Sequence, residues 1–359
     1  MTERQSLAVD YLKAVGIIAV VSGHYDGSFI NFLRPYIFHM PLFFFVGGLL
    51  FKTGKKGGVF AKNLLVKYVF YIVVSYAVLW LSVCLLSNFA PRLVYPQGGL
   101  IAQTSLFIKS NFHSLPMFMV AWFLIAYMFV TLIGYFLIPG VENLKGTVNP
   151  ELALCFIAIA CGLLGMRFFA EEYAVSKQQI HNFLAQINVG LMFFLIGYAV
   201  RNHIYRFLNA YCFLLCFTVL LAMRKAKILD SLGMSWSLYG PNFFSVTLGA
   251  LLCILFFFCV CHWLAGHAPI KLLRATGMHS KAIMSYHLLV FALLNILLAK
   301  MGFLSFDEIV TYSTREVPYT KYVFIAAGVL GPLFGSVLYE KIRSGIEELG
   351  ARRAPTMSN

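Results

Sequence analysis

The stretch LAVDYLKAVGIIAVVSGHY, residues 7–25, decides the fold of this chain. It is long enough to cross a bilayer as a helix, since about 20 helical residues span a hydrocarbon core about 30 Å thick. Asp10, Lys13 and His24 interrupt a run that is otherwise apolar. The stretch therefore predicts a transmembrane helix that carries polar groups.

The composition of the whole chain points the same way. Of its 359 residues, 60% are hydrophobic and 12% are charged, whereas a soluble domain is about 45–50% apolar and about 25% charged. A chain with so little polar surface cannot cover a water-soluble globule, so we expect an all-α, multi-pass membrane protein in contact with the lipid bilayer. Runs of suitable length predict about ten transmembrane helices, at residues 7–25, 36–51, 64–86, 116–138, 151–170, 183–200, 207–223, 243–266, 279–299 and 321–341.

Basic residues outnumber acidic ones, 28 against 14, giving a net charge of +14. No basic run is interleaved with aromatic residues on a polar background, so the excess does not indicate a nucleic-acid partner. Most Lys and Arg residues instead fall in alternate connecting segments, which predicts that both termini are cytoplasmic. We predict a transmembrane domain over residues 1–345 and a short basic cytoplasmic tail over 346–359.

The polar residues of the first run share one helix face. At 100° per residue, Lys13 and His24 lie within about 20° of each other and about 16 Å apart along the axis, and Asp10 lies within about 40° of that face. Ionisable groups inside a membrane are costly and mark functional sites. Taken singly, His24 could be a buried structural histidine and Lys13 a lysine that reaches the membrane interface. Three ionisable residues on one helix face favour a functional role instead.

A second histidine lies in FHMPLFFF, residues 38–45. Pro41 is typical of the first turn of a helix. His39 is then close to a helix N-terminus, where unpaired N–H groups can meet an anion. A histidine that only packs at the start of a helix is the alternative.

These two motifs together resemble the signature of the acyltransferase-3 family of membrane acyltransferases, and most closely its stand-alone, fucose 4-O-acetylase-like members. The first motif is Asp-x-x-Lys-x10-His, and the second is the FHMPLFFF run. Further likenesses extend along the chain: AWFL at 121–124, FFLIGY at 193–198, and LRATGMHS at 273–280 with His287 seven residues later.

The resemblance implies an activity. Members of the family transfer acyl groups, usually acetyl from cytoplasmic acetyl-CoA to a hydroxyl of a cell-envelope glycan such as O-antigen, capsule or exopolysaccharide. The resemblance implies that acetyl-CoA is a donor substrate rather than a bound cofactor, and that the acceptor is a glycan or lipid-linked saccharide. It also implies that the protein is located in the bacterial inner membrane. The eight cysteines lack metal-ligand spacing, so no metal site is expected. The sequence carries no signal for an oligomeric state.

The resemblance also assigns residues. His24 falls on the family's essential histidine, Lys13 on its basic partner, and His39 on the histidine of the second motif. Gly47 stands where the family commonly has serine, and its paired arginines have no clear counterpart. The full set of candidates comprises catalytic residues Asp10, Lys13, His24 and His39, donor-binding residues Lys62 and Lys67, and cavity-lining residues Trp122, Ser280 and His287.

Histidine suits this chemistry because its ordinary pKa is near neutrality, so it can take the proton of an attacking hydroxyl. The same imidazole could carry the acetyl group transiently, and the sequence does not separate these roles. The alternative function is a transporter in which Asp10, Lys13 and His24 form a proton or substrate pathway. The paired histidine motifs, and the lack of a visible internal repeat, favour the enzyme.

Overall fold

The computed structural model describes residues 1–25, 34–90, 99–144, 146, 148–267, 269–309 and 320–353. Almost all of the described secondary structure is helical. We number twelve helices, with a single further turn at Ile204–Phe207: α1 Glu3–Gly23, α2 His39–Leu49, α3 Gly57–Leu86, α4 Leu100–Lys109, α5 Ala121–Glu142, α6 Pro150–Ser176, α7 Gln179–Val200, α8 Ala210–Lys225, α9 Phe243–Leu264, α10 Lys271–Met278, α11 Ser280–Lys300 and α12 Thr320–Arg353.

A helix occupies each of the ten apolar runs. In the described part of the chain, eight helices are long and apolar enough to cross a membrane. The other two runs, 36–51 and 207–223, form α2 with 11 residues and α8 with 16 residues. The prediction of an all-α, multi-pass membrane protein is therefore confirmed. Helix α12 continues through residue 345, and residues 354–359 of the predicted tail lie outside the described residues.

Helix α1 lies at the centre of the bundle. The Thr2 side chain accepts a hydrogen bond from the backbone N–H of Gln5, whose side chain accepts one from Thr2, so a capping box starts the helix. Helix α1 packs against α2, α9, α10, α11 and α12. Gly277 of α10 lies directly against the backbone carbonyl of Asp10, where a methyl group would collide with it. Asp10, Lys13 and His24 are each partly buried among these helices.

Helices α2 and α7 cross at unusually close range. A methyl group on Gly48 of α2 would collide with the carbonyl oxygen of Phe194, and one on Gly197 of α7 would collide with that of Phe45. Small residues allow such backbone contact, which is a common way of packing helices in membranes. The crossing fixes α2, and with it His39, against the buried helix α7.

The only strands among the described residues form a short hairpin between α8 and α9. Strand β1 (Leu232–Gly233) pairs antiparallel with β2 (Leu238–Tyr239), and a 3₁₀ turn, Met234–Trp236, joins them. Ser237 closes the turn at φ +49°, in the left-handed region. This hairpin forms part of the wall of one of the two cavities described below.

The orientation of the bundle gives a testable prediction. We expect reporter fusions after Lys56 and after Asn359 to read as cytoplasmic, because basic residues are retained on the cytoplasmic side. The measurement is the activity of a compartment-specific reporter pair at each position in cells. A fusion after Trp236 is the matched control and should read as external. An external signal at Lys56 or Asn359 would overturn the arrangement.

Candidate active site

The first cavity has a volume of about 390 Å³ and lies beside the N-terminal half of α1. Helices α1, α2, α3, α5, α7 and α11 contribute to its lining. No Asp or Glu occurs among the described residues that line it. Five of the lining residues are lysines: Lys13, Lys52, Lys55, Lys67 and Lys281. Such a concentration of positive charge suits a ligand with several anionic groups.

Lys281 is held at this cavity by two contacts. Its Nζ donates to the backbone carbonyl of Lys67 at 3.1 Å and lies 3.7 Å from the centre of the Tyr71 ring. The Tyr71 hydroxyl in turn donates to Ser285 Oγ at 2.9 Å. Sequence reasoning did not select Lys281, although the residue directly follows the LRATGMHS run.

Lys13 is partly buried and paired with Asp10. Its Nζ lies 2.7 Å from Asp10 Oδ1, and Arg274 Nε lies 3.9 Å from Asp10 Oδ2. Asp10 does not itself line the cavity, so the carboxylate positions Lys13 rather than meeting a ligand. An ammonium has three N–H donors, so the contact with Asp10 leaves Lys13 able to bind an anion in the cavity.

Aromatic rings form the apolar wall of the same cavity. Tyr127 stacks on Phe44 and on Tyr68, with ring centres 5.6 and 5.9 Å apart. A methyl group on Gly47 would collide with the Tyr127 hydroxyl. The absence of a side chain at Gly47, where the resemblance leads one to expect serine, is thus explained by the tyrosine that fills the space.

The second cavity has a volume of about 770 Å³ and lies at the C-terminal end of α1. His24, which follows α1, and His39, which begins α2, both line it. A third histidine, His287 of α11, is fully buried beside them, with its ring centre 5.1 Å from that of His24. The fold thus places His24 and His39 on one cavity and brings His287, which is distant in sequence, into contact with His24.

Hydrogen bonds fix the tautomers of two of these rings. His39 Nδ1 lies 2.6 Å from the carbonyl oxygen of Pro35, and His287 Nδ1 lies 3.0 and 2.9 Å from those of Ile283 and Met284. A carbonyl oxygen only accepts, so each Nδ1 carries the proton and Nε2 of the neutral ring is a free base. Nε2 of His287 is buried without a partner in the described structure.

The two cavities meet at Met284 of α11. Met284 is the one described residue that lines both, and its side chain is almost completely buried. Its backbone carbonyl also accepts the hydrogen bond from His287. A movement of this flexible, unbranched side chain would connect the lysines of one cavity with the histidines of the other.

The structure distributes the sequence-predicted residues among these places. Lys13, Lys67 and Ser280 line the first cavity, and His24, His39 and Trp122 line the second. His287, also predicted to line a cavity, lines neither of these two, although its ring contacts that of His24. Lys62 is exposed and lines neither. Sequence reasoning did not pick out Lys281, Met284, Arg34 or Trp236 as site residues.

The fold and the two cavities define a multi-pass membrane protein with a lysine-lined cavity and a histidine-lined cavity along one central helix. Residues 6–339 match the family model described as acyltransferase domain, acyltransferase-3. The chain belongs to the acyltransferase-3 family, and it is a membrane acyltransferase. Comparisons with curated proteins and with solved structures find no match.

Proposed function

We propose that this acyltransferase moves an acetyl group from cytoplasmic acetyl-CoA to a hydroxyl of a cell-envelope glycan, in the bacterial inner membrane. The observation that carries the proposal is the pairing of a lysine-lined cavity with a histidine-lined cavity across Met284. The donor and acceptor proposed for this chain are those implied by its resemblance to the fucose 4-O-acetylase-like members of the family. Family membership favours this reaction over transport through the polar face of α1.

The lysine-lined cavity suits the donor. Coenzyme A carries phosphate groups at one end and its thioester at the end of a long, thin arm. Lysine ammonium groups bind phosphate oxygens by charge-assisted hydrogen bonds, and five of them surround this cavity. With the phosphates there, the arm would follow the aromatic wall at Tyr127 towards Met284. The predicted cytoplasmic location of this end matches the compartment that supplies acetyl-CoA.

The histidine-lined cavity suits the transfer step. With His24 as general base, the imidazole takes the acceptor's hydroxyl proton while its oxygen attacks the thioester carbonyl carbon. The tetrahedral intermediate then breaks its C–S bond, and the coenzyme A thiolate leaves and is protonated. The products are an acetyl ester and free coenzyme A.

With His24 as a transient carrier, an imidazole nitrogen attacks the thioester, coenzyme A leaves as the thiolate, and an acetylimidazole forms. The acceptor hydroxyl then attacks this acyl group and regenerates the imidazole. In this version Nε2 of His39 or of His287, each unprotonated in the neutral tautomer, can take the hydroxyl proton. Both versions place His24 at the reacting atoms, and only the carrier version requires a second histidine as the base.

Mass spectrometry of envelope glycans tests the proposal. We expect cells that lack this protein to lose acetyl esters from one glycan, and the wild-type gene to restore them. A His24→Ala gene should not restore them, while mild alkali should remove them from wild-type material because they are esters. Identical acetylation with and without the protein would contradict the proposed function.

A further inference from the structure

Part of the wall of the second cavity is built from the hairpin, and the acyl-transfer step does not use this part. The hairpin segment contributes Ser231, Gly233, Met234, Ser235, Trp236 and Leu238 to the lining. Arg34 and Tyr36, which precede α2, line the cavity next to the hairpin, because the turn Pro35–Ile37 contacts strand β1. The wall faces the same space as His24 and His39, so whatever binds here lies next to the reacting groups.

Buried amides hold the hairpin in place. The carbonyl of Ser235 accepts hydrogen bonds from Gln186 Nε2 at 2.8 Å and Asn182 Nδ2 at 3.2 Å, and Ser237 Oγ donates to Asn182 Oδ1 at 2.7 Å. Asn182 and Gln186 are completely buried in α7. Buried amides lose much free energy when unpaired, so this network keeps the turn fixed and compensates for the left-handed conformation of Ser237.

Trp236 at the tip of this turn is an aromatic surface facing the cavity. Its side chain is 41% exposed although it lines the cavity. The ring of His113 lies 4.2 Å from it, and His113 Nε2 is 2.9 Å from Ser235 Oγ. Burial lowers the pKa of His113, so the ring is neutral at pH 7 and supports Trp236 without adding charge.

Arg34 gives this wall its charge. It is the one Lys, Arg, Asp or Glu among the described residues that line the second cavity. A guanidinium pairs with a carboxylate or phosphate through two parallel hydrogen bonds. A single cation among aromatic and hydroxyl groups suits a ligand with one anionic group, in contrast to the five lysines of the first cavity.

We propose that Trp236 and Arg34 form the acceptor-recognition subsite, which takes a pyranose ring that carries or adjoins one anionic group. The apolar C–H face of the sugar stacks on the Trp236 indole, and the carboxylate or phosphate pairs with Arg34. An aromatic face combines a large apolar contact with a negative π surface that attracts C–H groups. The subsite rests on the proposed function for its role as acceptor site, but binding there needs no acyl transfer.

Binding of three matched probes to the purified full chain tests this subsite. The probes are methyl glucoside, which is neutral, methyl glucuronoside, which carries a carboxylate, and glucose 1-phosphate, and ligand-observed NMR gives their affinities. We expect at least one anionic probe to bind about tenfold more tightly than the neutral one, the effect of one charge-assisted pair. Arg34→Ala should remove this preference.

The tryptophan variants test the stacking. Trp236→Ala should lower the affinity for all three probes about tenfold, which is the loss expected for one aromatic stacking contact. Trp236→Phe should retain most of the affinity because it keeps an aromatic face. The matched control is Trp263→Ala: this tryptophan is also exposed but lies beside Arg4, at the opposite end of α1, so its removal should leave binding unchanged.

The outcomes separate the two proposals because no acetyl-CoA is present. Absence of binding to all three probes, equal affinity for charged and neutral probes, or unchanged binding in Trp236→Ala would each overturn the subsite. Tighter binding of glucose 1-phosphate would identify the acceptor class as a lipid-linked saccharide. Tighter binding of methyl glucuronoside would identify it as an acidic sugar. A chain that binds the probes but transfers no acetyl group would refute the proposed function alone.

Discussion

His24→Ala is expected to reduce acetyl transfer by at least about 10²–10⁴-fold, the range typical for loss of a general base. The imidazole lines the second cavity and contacts the ring of His287, so its removal eliminates the proposed base or acyl carrier from this cavity. Truncating one partly buried ring should cost about 1–2 kcal/mol of stability. We therefore expect a folded protein at normal membrane abundance, measured alongside the transfer rate from labelled acetyl-CoA.

His181→Ala is the matched control, because that histidine lies on α7 and contacts Ser176 outside both cavities. It should transfer acetyl groups at the wild-type rate. A further measurement omits the acceptor and asks whether labelled acetyl becomes bound to the protein. Label on the wild type but not on His24→Ala would identify His24 as the acyl carrier. Absence of bound label from the wild type would identify it as a base. Near-normal transfer by His24→Ala would refute the role of His24 in the mechanism.

Lys13→Ala is expected to raise the KM for acetyl-CoA about tenfold or more, because a charge-assisted hydrogen bond to phosphate is lost. Among the described residues, the change leaves the more distant Arg274 as the ion-pair partner of Asp10, so the negative charge beside the donor cavity is less well neutralised. Lys13→Arg should keep more activity, since charge and reach are preserved. Steady-state kinetics with varied acetyl-CoA measures both variants.

Lys56→Ala provides the matched control for this series. Lys56 is exposed and belongs to the same basic part of the chain, but it lines neither cavity, so its KM should equal that of the wild type. Equal losses in Lys13→Ala and Lys13→Arg would show that the charge of Lys13 is not what matters. A loss in Lys56→Ala as large as that in Lys13→Ala would indicate a general effect of surface charge instead.

Local periodicity was sufficient to place the polar groups of α1. Lys13 and His24 lie on one face because their spacing is close to a whole number of turns, and each lines a cavity. The rule does not extend to Lys62 and Lys67, because Leu65–Phe70 of α3 is π-helical. Of the two lysines, only Lys67 lines a cavity.

Tertiary packing supplied what the sequence could not. His287 reaches His24, and Lys281 reaches the lysine cavity, only because α11 packs on α1 and lies against α3. Nothing in the spacing of two residues 263 positions apart predicts the contact between His24 and His287. The hairpin with Trp236 has strands of two residues each, too short for an alternation pattern, and its position depends on amides from α7.

The transfer reaction itself is the most direct test of the central claim. In this experiment, the purified protein is reconstituted in proteoliposomes and mixed with labelled acetyl-CoA. The acceptor is envelope glycan extracted from cells that lack the protein. We predict that label enters the glycan as an alkali-labile ester with the wild type and not with His24→Ala. Unlabelled glycan in the presence of folded wild-type protein, with a solute instead moving across the vesicle membrane, would contradict the account.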